Sequence, residues 1–220
     1  MPKNPPESMQ HHPRQSLNRD ARELDRAGDR DRHAPASAIR VPAGLVVLVG
    51  PPASGKTSFV RALIESGQID AEAVVSSDAI RAELFGTSPT QAEPDAADAR
   101  IFEERDRRIV ARLATGRSAV AESTNVTPQA RQRLIAIAGR LNAPVTMLRF
   151  DPDVTTLLQQ YTERGRTDLT AADVHAYAAA MARDASADQL RSEGATAVHD
   201  VPGRHQATTP AEAAARFSFA

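Results

Sequence analysis

Leu45-Val46-Val47-Leu48-Val49-Gly50-Pro51-Pro52-Ala53-Ser54-Gly55-Lys56-Thr57 decides how this chain is read. Five consecutive apolar residues predict a strand buried on both faces. They run straight into Gly50–Thr57, which fits the pattern GxxxxGK[ST]. In that pattern the glycines let backbone N–H groups converge on phosphates, the lysine reaches the β- and γ-phosphates, and the last hydroxyl holds Mg²⁺. A helix is expected from Gly55 to about Ser66, and its N-terminus adds partial positive charge to the cradle. The candidate ATP-binding residues here are Gly50, Ala53, Ser54, Gly55, Lys56, Thr57 and Ser58. Pro51 and Pro52 have no N–H, so residues 53–57 supply the donors. Lys56 and Lys3 are the two lysines among 27 basic residues. A compact ammonium on a flexible stem suits a narrow loop better than a guanidinium fork does.

Outward from the loop, strands and helices alternate. Short apolar runs predict strands at Ala73–Ser76, Ser118–Ala121, Val145–Phe150 and Thr196–Val201. Helices are expected at Asp78–Phe85, Asp98–Thr115, Pro128–Leu141, Val154–Glu163 and Ala172–Glu193, with a surface loop over Thr87–Ala97. Alternation of this kind implies βαβ units and a mainly parallel sheet. The expected fold class is α/β, a P-loop NTPase with three α/β/α layers and a helical lid.

The 220 residues suit one domain with tails. Residues 1–40 carry many prolines and charges with few large apolar side chains, and read as a disordered tail. A docking arm for a protein partner is one role that fits such a segment. The domain is expected over 41–202, and 203–220 as a second tail with a helical turn near Ala211–Arg216. Of the 27 basic and 28 acidic residues, 8 and 6 lie in 1–40, which leaves 19 and 22 in the remainder. That balance does not suit a protein that coats long nucleic acid. The chain has no cysteine, which excludes disulfide and thiolate chemistry. No apolar run reaches the length of a membrane span, and the first residues are polar. The expectation is a cytoplasmic protein.

Three further segments carry chemistry. In Val74-Val75-Ser76-Ser77-Asp78-Ala79-Ile80-Arg81, a strand ends where a helix begins, at the sheet edge where ligands bind. Asp78 and Arg81 share one face of that helix. A carboxylate there can accept a hydroxyl proton, and a guanidinium can hold an anion. N-capping with an i,i+3 ion pair is the plain alternative. In Glu163-Arg164-Gly165-Arg166-Thr167-Asp168, between two helices, Arg164 and Arg166 are candidate phosphate clamps. In Ser118-Ala119-Val120-Ala121-Glu122, a strand ends in a carboxylate that can hold Mg²⁺, with Thr57, in the manner of a Walker-B acid.

Together these pieces resemble the kinase domain of the polynucleotide 5′-hydroxyl kinases, over about Leu45–Val201. The matching landmarks are Gly50–Thr57, Val75–Asp78 with Arg81, Glu122–Asn125, Pro144–Asp151, Arg166–Asp168 and Leu190–Gly194. The resemblance implies Asp78 as general base, Arg81 as contact to the acceptor's neighbouring phosphate, and Arg166 as lid arginine on ATP. Three departures stand out. Glu122 replaces the usual Asp. Thr162 stands where a second lid arginine is usual, with Arg164 nearby. Arg100–Arg112, the acceptor-helix stretch, is charged on nearly every face and has few aromatics. Sugar-nucleotide kinases of the zeta-toxin type and chloramphenicol-type phosphotransferases share the same architecture.

The sequence therefore predicts an ATP- and Mg²⁺-dependent phosphotransferase whose catalytic set is Lys56, Asp78, Arg81 and Arg166. The acceptor is a hydroxyl, on a polynucleotide 5′ end or on a small molecule. A nucleotide-binding adaptor that uses residues 1–40 is the alternative from another class.

Overall fold

The computed structural model describes residues 38–86, 94–165 and 169–220. Residues 1–37 of the expected N-terminal tail, residues 87–93 of the expected surface loop, and Arg166–Asp168 lie outside them. A compact unit spans Ala38–Ala220. Its elements are β1 (Ile39–Val41), β2 (Leu45–Val49), α1 (Lys56–Glu65), β3 (Val74–Ser76), α2 (Ser77–Phe85), α3 (Pro94–Leu113) and β4 (Ala119–Glu122). They continue with α4 (Pro128–Arg140), β5 (Val145–Arg149), α5 (Val154–Glu163), α6 (Ala171–Asp184), α7 (Ala187–Ser192), β6 (Ala197–Asp200), α8 (Pro210–Ala214) and β7 (Phe217–Phe219).

Five strands form a wholly parallel sheet in the order β3-β4-β2-β5-β6. β2 lies at its centre, and all five of its residues are buried, as its unbroken apolar run requires. Side chains alternate faces along a strand. Leu45, Val47 and Val49 join Ile101, Ile109, Leu134, Met181 and Leu190 in one core. Val46 and Leu48 join Phe59, Leu63, Ala213 and Phe217 in the other. That alternation makes the three layers, with α3, α4, α6 and α7 on one face and α1 and α8 on the other. Each fully buried Val or Leu contributes about 1.5–3 kcal/mol.

The chain leaves β2 for the sheet edge at β3, returns through β4, and crosses to β5. The carboxyl ends of β2, β3 and β4 thus meet where strand order switches, the place where open parallel sheets bind ligands.

Four expectations need correction. The long helix over Ala172–Glu193 is two helices: α6 stops at Asp184, and Ser186 caps α7 by accepting from the Gln189 N–H at 3.2 Å. A serine that can satisfy an orphan donor favours a new start over a continued helix. α3 begins at Pro94, inside the expected loop, because a helix's first turn tolerates the missing N–H. Residues 203–220 are not a tail. α8 carries a Thr209–Glu212 capping box, and β7 pairs in parallel with β1 through Ile39–Phe217, Arg40–Ser218 and Val41–Phe219. β1 likewise starts inside the segment read as an N-terminal tail. Among the described residues no helix is long and apolar enough to cross a membrane.

Candidate active site

The phosphate loop turns back between β2 and α1 with left-handed backbone at Ala53 (φ 65°) and Gly55 (φ 99°). Left-handed residues in such a loop gather N–H groups into an anion-binding concavity. Gly50 is needed for space, since a Cβ there would lie 2.7 Å from the Phe150 carbonyl oxygen. The Gly50 N–H donates to the Thr124 carbonyl at 2.9 Å, tying the loop to the segment after β4. Lys56 is buried inside the loop. Its Nζ donates to the carbonyls of Gly50 (2.7 Å) and Pro51 (2.6 Å) and to Ser54 Oγ (3.2 Å).

Thr57 lies in the first turn of α1, and its hydroxyl donates to Glu122 Oε1 at 2.6 Å. The longer Glu122 side chain therefore reaches the hydroxyl at the start of α1. A hydroxyl and a carboxylate side by side beside a phosphate loop are the oxygen donors that Mg²⁺ takes, so these residues fit the ion.

A cleft of about 500 Å³ brings most of the predicted residues together, though Gly50 and Ser58 do not line it. Lys56, Thr57 and Glu122 line it, and so do Asp78 and Arg81 of α2 and Arg164 at the end of α5. Ser76 caps α2 by accepting from the Ala79 N–H at 3.5 Å, which leaves Asp78 in the helix's first turn. Ser77 and Ser123 share a hydroxyl–hydroxyl hydrogen bond across the same cleft. Arg81 pairs with Asp98 of α3 at 2.5 Å, and both side chains are about half exposed. Exposed pairs contribute about 0–1 kcal/mol, so an anion can take the guanidinium at small cost. Thr162 donates its hydroxyl to the Leu158 carbonyl of its own helix at 2.9 Å. Arg166 lies outside the described residues.

Sequence reasoning missed the scaffold behind the cleft. Asn125, buried and left-handed (φ 48°), donates from its amide to the Leu48 carbonyl at 2.9 Å. Its own carbonyl accepts from Arg131 at 3.0 Å. Arg131 is wholly buried and grips Glu193 with two hydrogen bonds, at 2.6 and 2.7 Å, and the Asp184 carbonyl at 2.6 Å. One guanidinium thus joins the turn after β4 to the ends of α6 and α7. Burial pushes the Glu193 carboxyl up, but hydrogen bonds from Arg131 and Gln189 bring it below the usual carboxylate range. The available signal was an arginine in line with Leu134, Ile137 and Ala138 on the apolar face of α4. Also missed was a second cavity, about 590 Å³, that shares Ser54, Gly55 and Arg164 with the first. Ser58, Phe150, Pro202 and Gly203 help to line it.

Residues 45–187 match the family model described as AAA domain. The chain belongs to that AAA domain family. Its fold is that of P-loop kinases, as several solved structures make plain. A chain of the Pnkp1/Rnl/Hen1 RNA repair complex is 21% identical, with TM-score 0.55, over 69% of this chain and 46% of that one. The AAA-family chain here thus spans less than half of that protein's length. A sugar kinase from Janibacter sp. HTCC2649 is 17% identical with TM-score 0.54, over 80% of this chain and 92% of its own. Shikimate kinase from Acinetobacter baumannii, in complex with shikimate, is 16% identical with TM-score 0.51, over 79% and 90%. No curated protein matches the chain.

Proposed function

We propose that this protein is an ATP-dependent kinase that transfers the γ-phosphoryl group to a hydroxyl, most fittingly the 5′-hydroxyl end of a polynucleotide. The observation that carries the reading is one cleft holding both halves of a transfer reaction. Lys56, Thr57 and Glu122 serve as the donor side in this reading, and Asp78 and Arg81, which line the same cleft, as its acceptor side. A protein that only binds nucleotide has no use for the second half.

The second cavity suits the base and ribose of ATP, since it opens from Ser54 and Gly55 and has a partly apolar lining. The phosphates then run along the loop into the first cleft. Lys56 exchanges the loop carbonyls that now hold it for β- and γ-phosphate oxygens. Thr57 and Glu122 would hold Mg²⁺, which when bound neutralises charge on those oxygens. Asp78 accepts the proton of the acceptor hydroxyl, whose oxygen bonds to the γ-phosphorus as the bond to the β,γ-bridging oxygen breaks. ADP leaves. Arg164, and Arg166 in the reading from sequence, neutralise charge on the phosphoryl group in flight. Arg81 holds the phosphate next to the acceptor hydroxyl, a job that a bare sugar acceptor would not give it. Such an enzyme works where ATP is supplied, in the cytoplasm.

A small-molecule acceptor is the second reading, favoured by the cleft's volume, which lies in the range that encloses a whole small ligand. Incubation with γ-labelled ATP and either a 5′-OH oligonucleotide or a panel of sugars and other alcohols separates the two. Label is expected in the oligonucleotide, abolished by Lys56→Ala and lowered about 10²–10⁴-fold in turnover by Asp78→Asn, with ATP affinity little changed. Normal transfer by Asp78→Asn would remove the base assignment. Label in small alcohols alone would remove the polynucleotide acceptor.

A further inference from the structure

Phe102 and Tyr177 line the same cleft as Asp78 and Arg81. Phe102 follows Asp98 by four residues on α3, so the two are neighbours about 5–6 Å apart on one helix face. Asp98 is the partner of Arg81, so the aromatic ring lies one helical turn along α3 from the carboxylate that the guanidinium pairs with.

The ring is held by a ladder of charges. The Arg105 guanidinium stacks over it at 4.9 Å. Arg105 is only 2% exposed, and it donates to Asp106 at 3.0 and 2.8 Å. Asp106 also accepts from Arg133 of α4. A desolvated cation on an aromatic face binds it more firmly than an exposed one. A ring fixed in this way loses little freedom when a ligand stacks on it. Phe59, Phe150 and Phe217, by contrast, are spent on one another in the core.

Resting on the polynucleotide reading above, we propose that Phe102 is the stacking platform for the base of the acceptor's 5′-terminal nucleotide. Tyr177 forms a further wall, and Arg105 is the positioning residue that holds the platform. A nucleotide end presents a phosphate and a flat base close together; Arg81 and Phe102 offer a charged fork and a flat face in one cleft. Every base has a π-face, so the contact accepts any sequence, as an enzyme acting on strand ends requires. The sparse aromatics of Arg100–Arg112 are thus a matter of placement, because the one phenylalanine of that stretch lines the acceptor cleft.

The test compares KM for two 5′-OH oligonucleotides of one sequence, one of them abasic at its terminal residue, with γ-labelled ATP. The wild-type protein is expected to show a KM roughly tenfold lower for the end that carries a base. Phe102→Leu keeps apolar bulk and is expected to bring the two values together, whereas Phe102→Tyr keeps them apart. A thermal melt verifies that Phe102→Leu is folded. Arg105→Met is expected to raise KM for the base-bearing end and not for the abasic one; an equal rise for both would remove its positioning role. Equal KM values in the wild type, or a tenfold difference retained by folded Phe102→Leu, overturn the stacking while the polynucleotide reading stands. Transfer to neither oligonucleotide overturns both.

Discussion

The Thr57 hydroxyl donates to Glu122 Oε1 at 2.6 Å, joining the first turn of α1 to the last residue of β4. Two elements far apart in sequence deliver a hydroxyl and a carboxylate to one point beside the phosphate loop. If that pair holds Mg²⁺, Thr57→Val and Glu122→Gln should each raise the Mg²⁺ concentration needed for tight ATP binding by about tenfold or more. Thr57→Ser, which keeps the hydroxyl, should stay near wild type. Calorimetric titration of ATP at stepped Mg²⁺ concentrations measures this, with titration in chelator as the metal-free reference. An unchanged Mg²⁺ requirement in Glu122→Gln would take that carboxylate out of the metal site.

Arg131 and Glu193 form the most deeply buried ion pair in the described structure, with 0% and 7% side-chain exposure. Leaving one buried charge without its partner costs about 3–5 kcal/mol, whereas an apolar replacement of both is far better tolerated. Glu193→Ala is therefore expected to lower unfolding free energy by about 3–5 kcal/mol. The double variant Arg131→Met/Glu193→Leu should lose less than the sum of its single changes. Urea unfolding of the wild type, Arg131→Met, Glu193→Leu and the double variant tests the coupling. Additive losses would mean that the pair is not a unit. Because Arg131 also holds the Asn125 carbonyl, the single variants should weaken ATP binding too.

Acid should loosen the contact between α2 and α3. Arg108 hydrogen-bonds Glu83 of α2 and Glu104 of its own helix. Hydrogen bonds from Arg107 and Arg108 lower the Glu104 carboxyl to about 2, and Arg108 lowers that of Glu83. Carboxyls lowered by folding stabilise the native state fully above their unfolded value of about 4.3, and that stabilisation is lost as pH falls through the folded values. Melting temperature is expected to hold steady from pH 7 to about 5 and to fall between about 4.3 and 2. Arg108→Gln should lower it near neutral pH and make the acid fall shallower. Calorimetric melts across that range measure both, and an identical acid fall in Arg108→Gln would show that these carboxylates take no part.

The parts of this fold that the sequence makes legible are those whose cause is local. Leu45–Val49 shows its burial because both faces of a central parallel strand must be apolar. Gly50–Thr57 shows its role because a phosphate cradle needs glycine, lysine and threonine at fixed spacing. Asp78, Arg81 and Glu122 could be placed because parallel strands deliver their carboxyl ends to one edge. The missed features depend on partners distant in the chain. Nothing local marks Arg131 as the clamp on Glu193, and the break after Asp184 was hidden by helix-compatible residues on both sides. The second cavity exists only once the segment after β6 lies beside the phosphate loop. Phe102 gains its meaning from a guanidinium behind it and a cleft in front.

The C-terminal strand shows how a segment with weak local signal becomes structural. Phe217-Ser218-Phe219 is too short to be read as a strand alone, yet Phe217 is 2% exposed. Its ring meets Phe59 edge-on at 5.7 Å, and Phe59 meets Phe150 in the same manner at 5.4 Å. Phe59 lies two residues after Thr57 on α1, and the Phe150 carbonyl borders Gly50. The three rings therefore brace the phosphate loop from below. Phe217→Ala is expected to cost about 3–5 kcal/mol, through lost burial and the cavity it leaves. Phe217→Leu, which fills most of that space, should cost clearly less. Because the cavity opens beside α1, ATP affinity should fall along with the urea midpoint in Phe217→Ala and recover along with it in Phe217→Leu. A variant that lost stability with no change in ATP affinity would confine Phe217 to the core and separate the C-terminal strand from the phosphate loop.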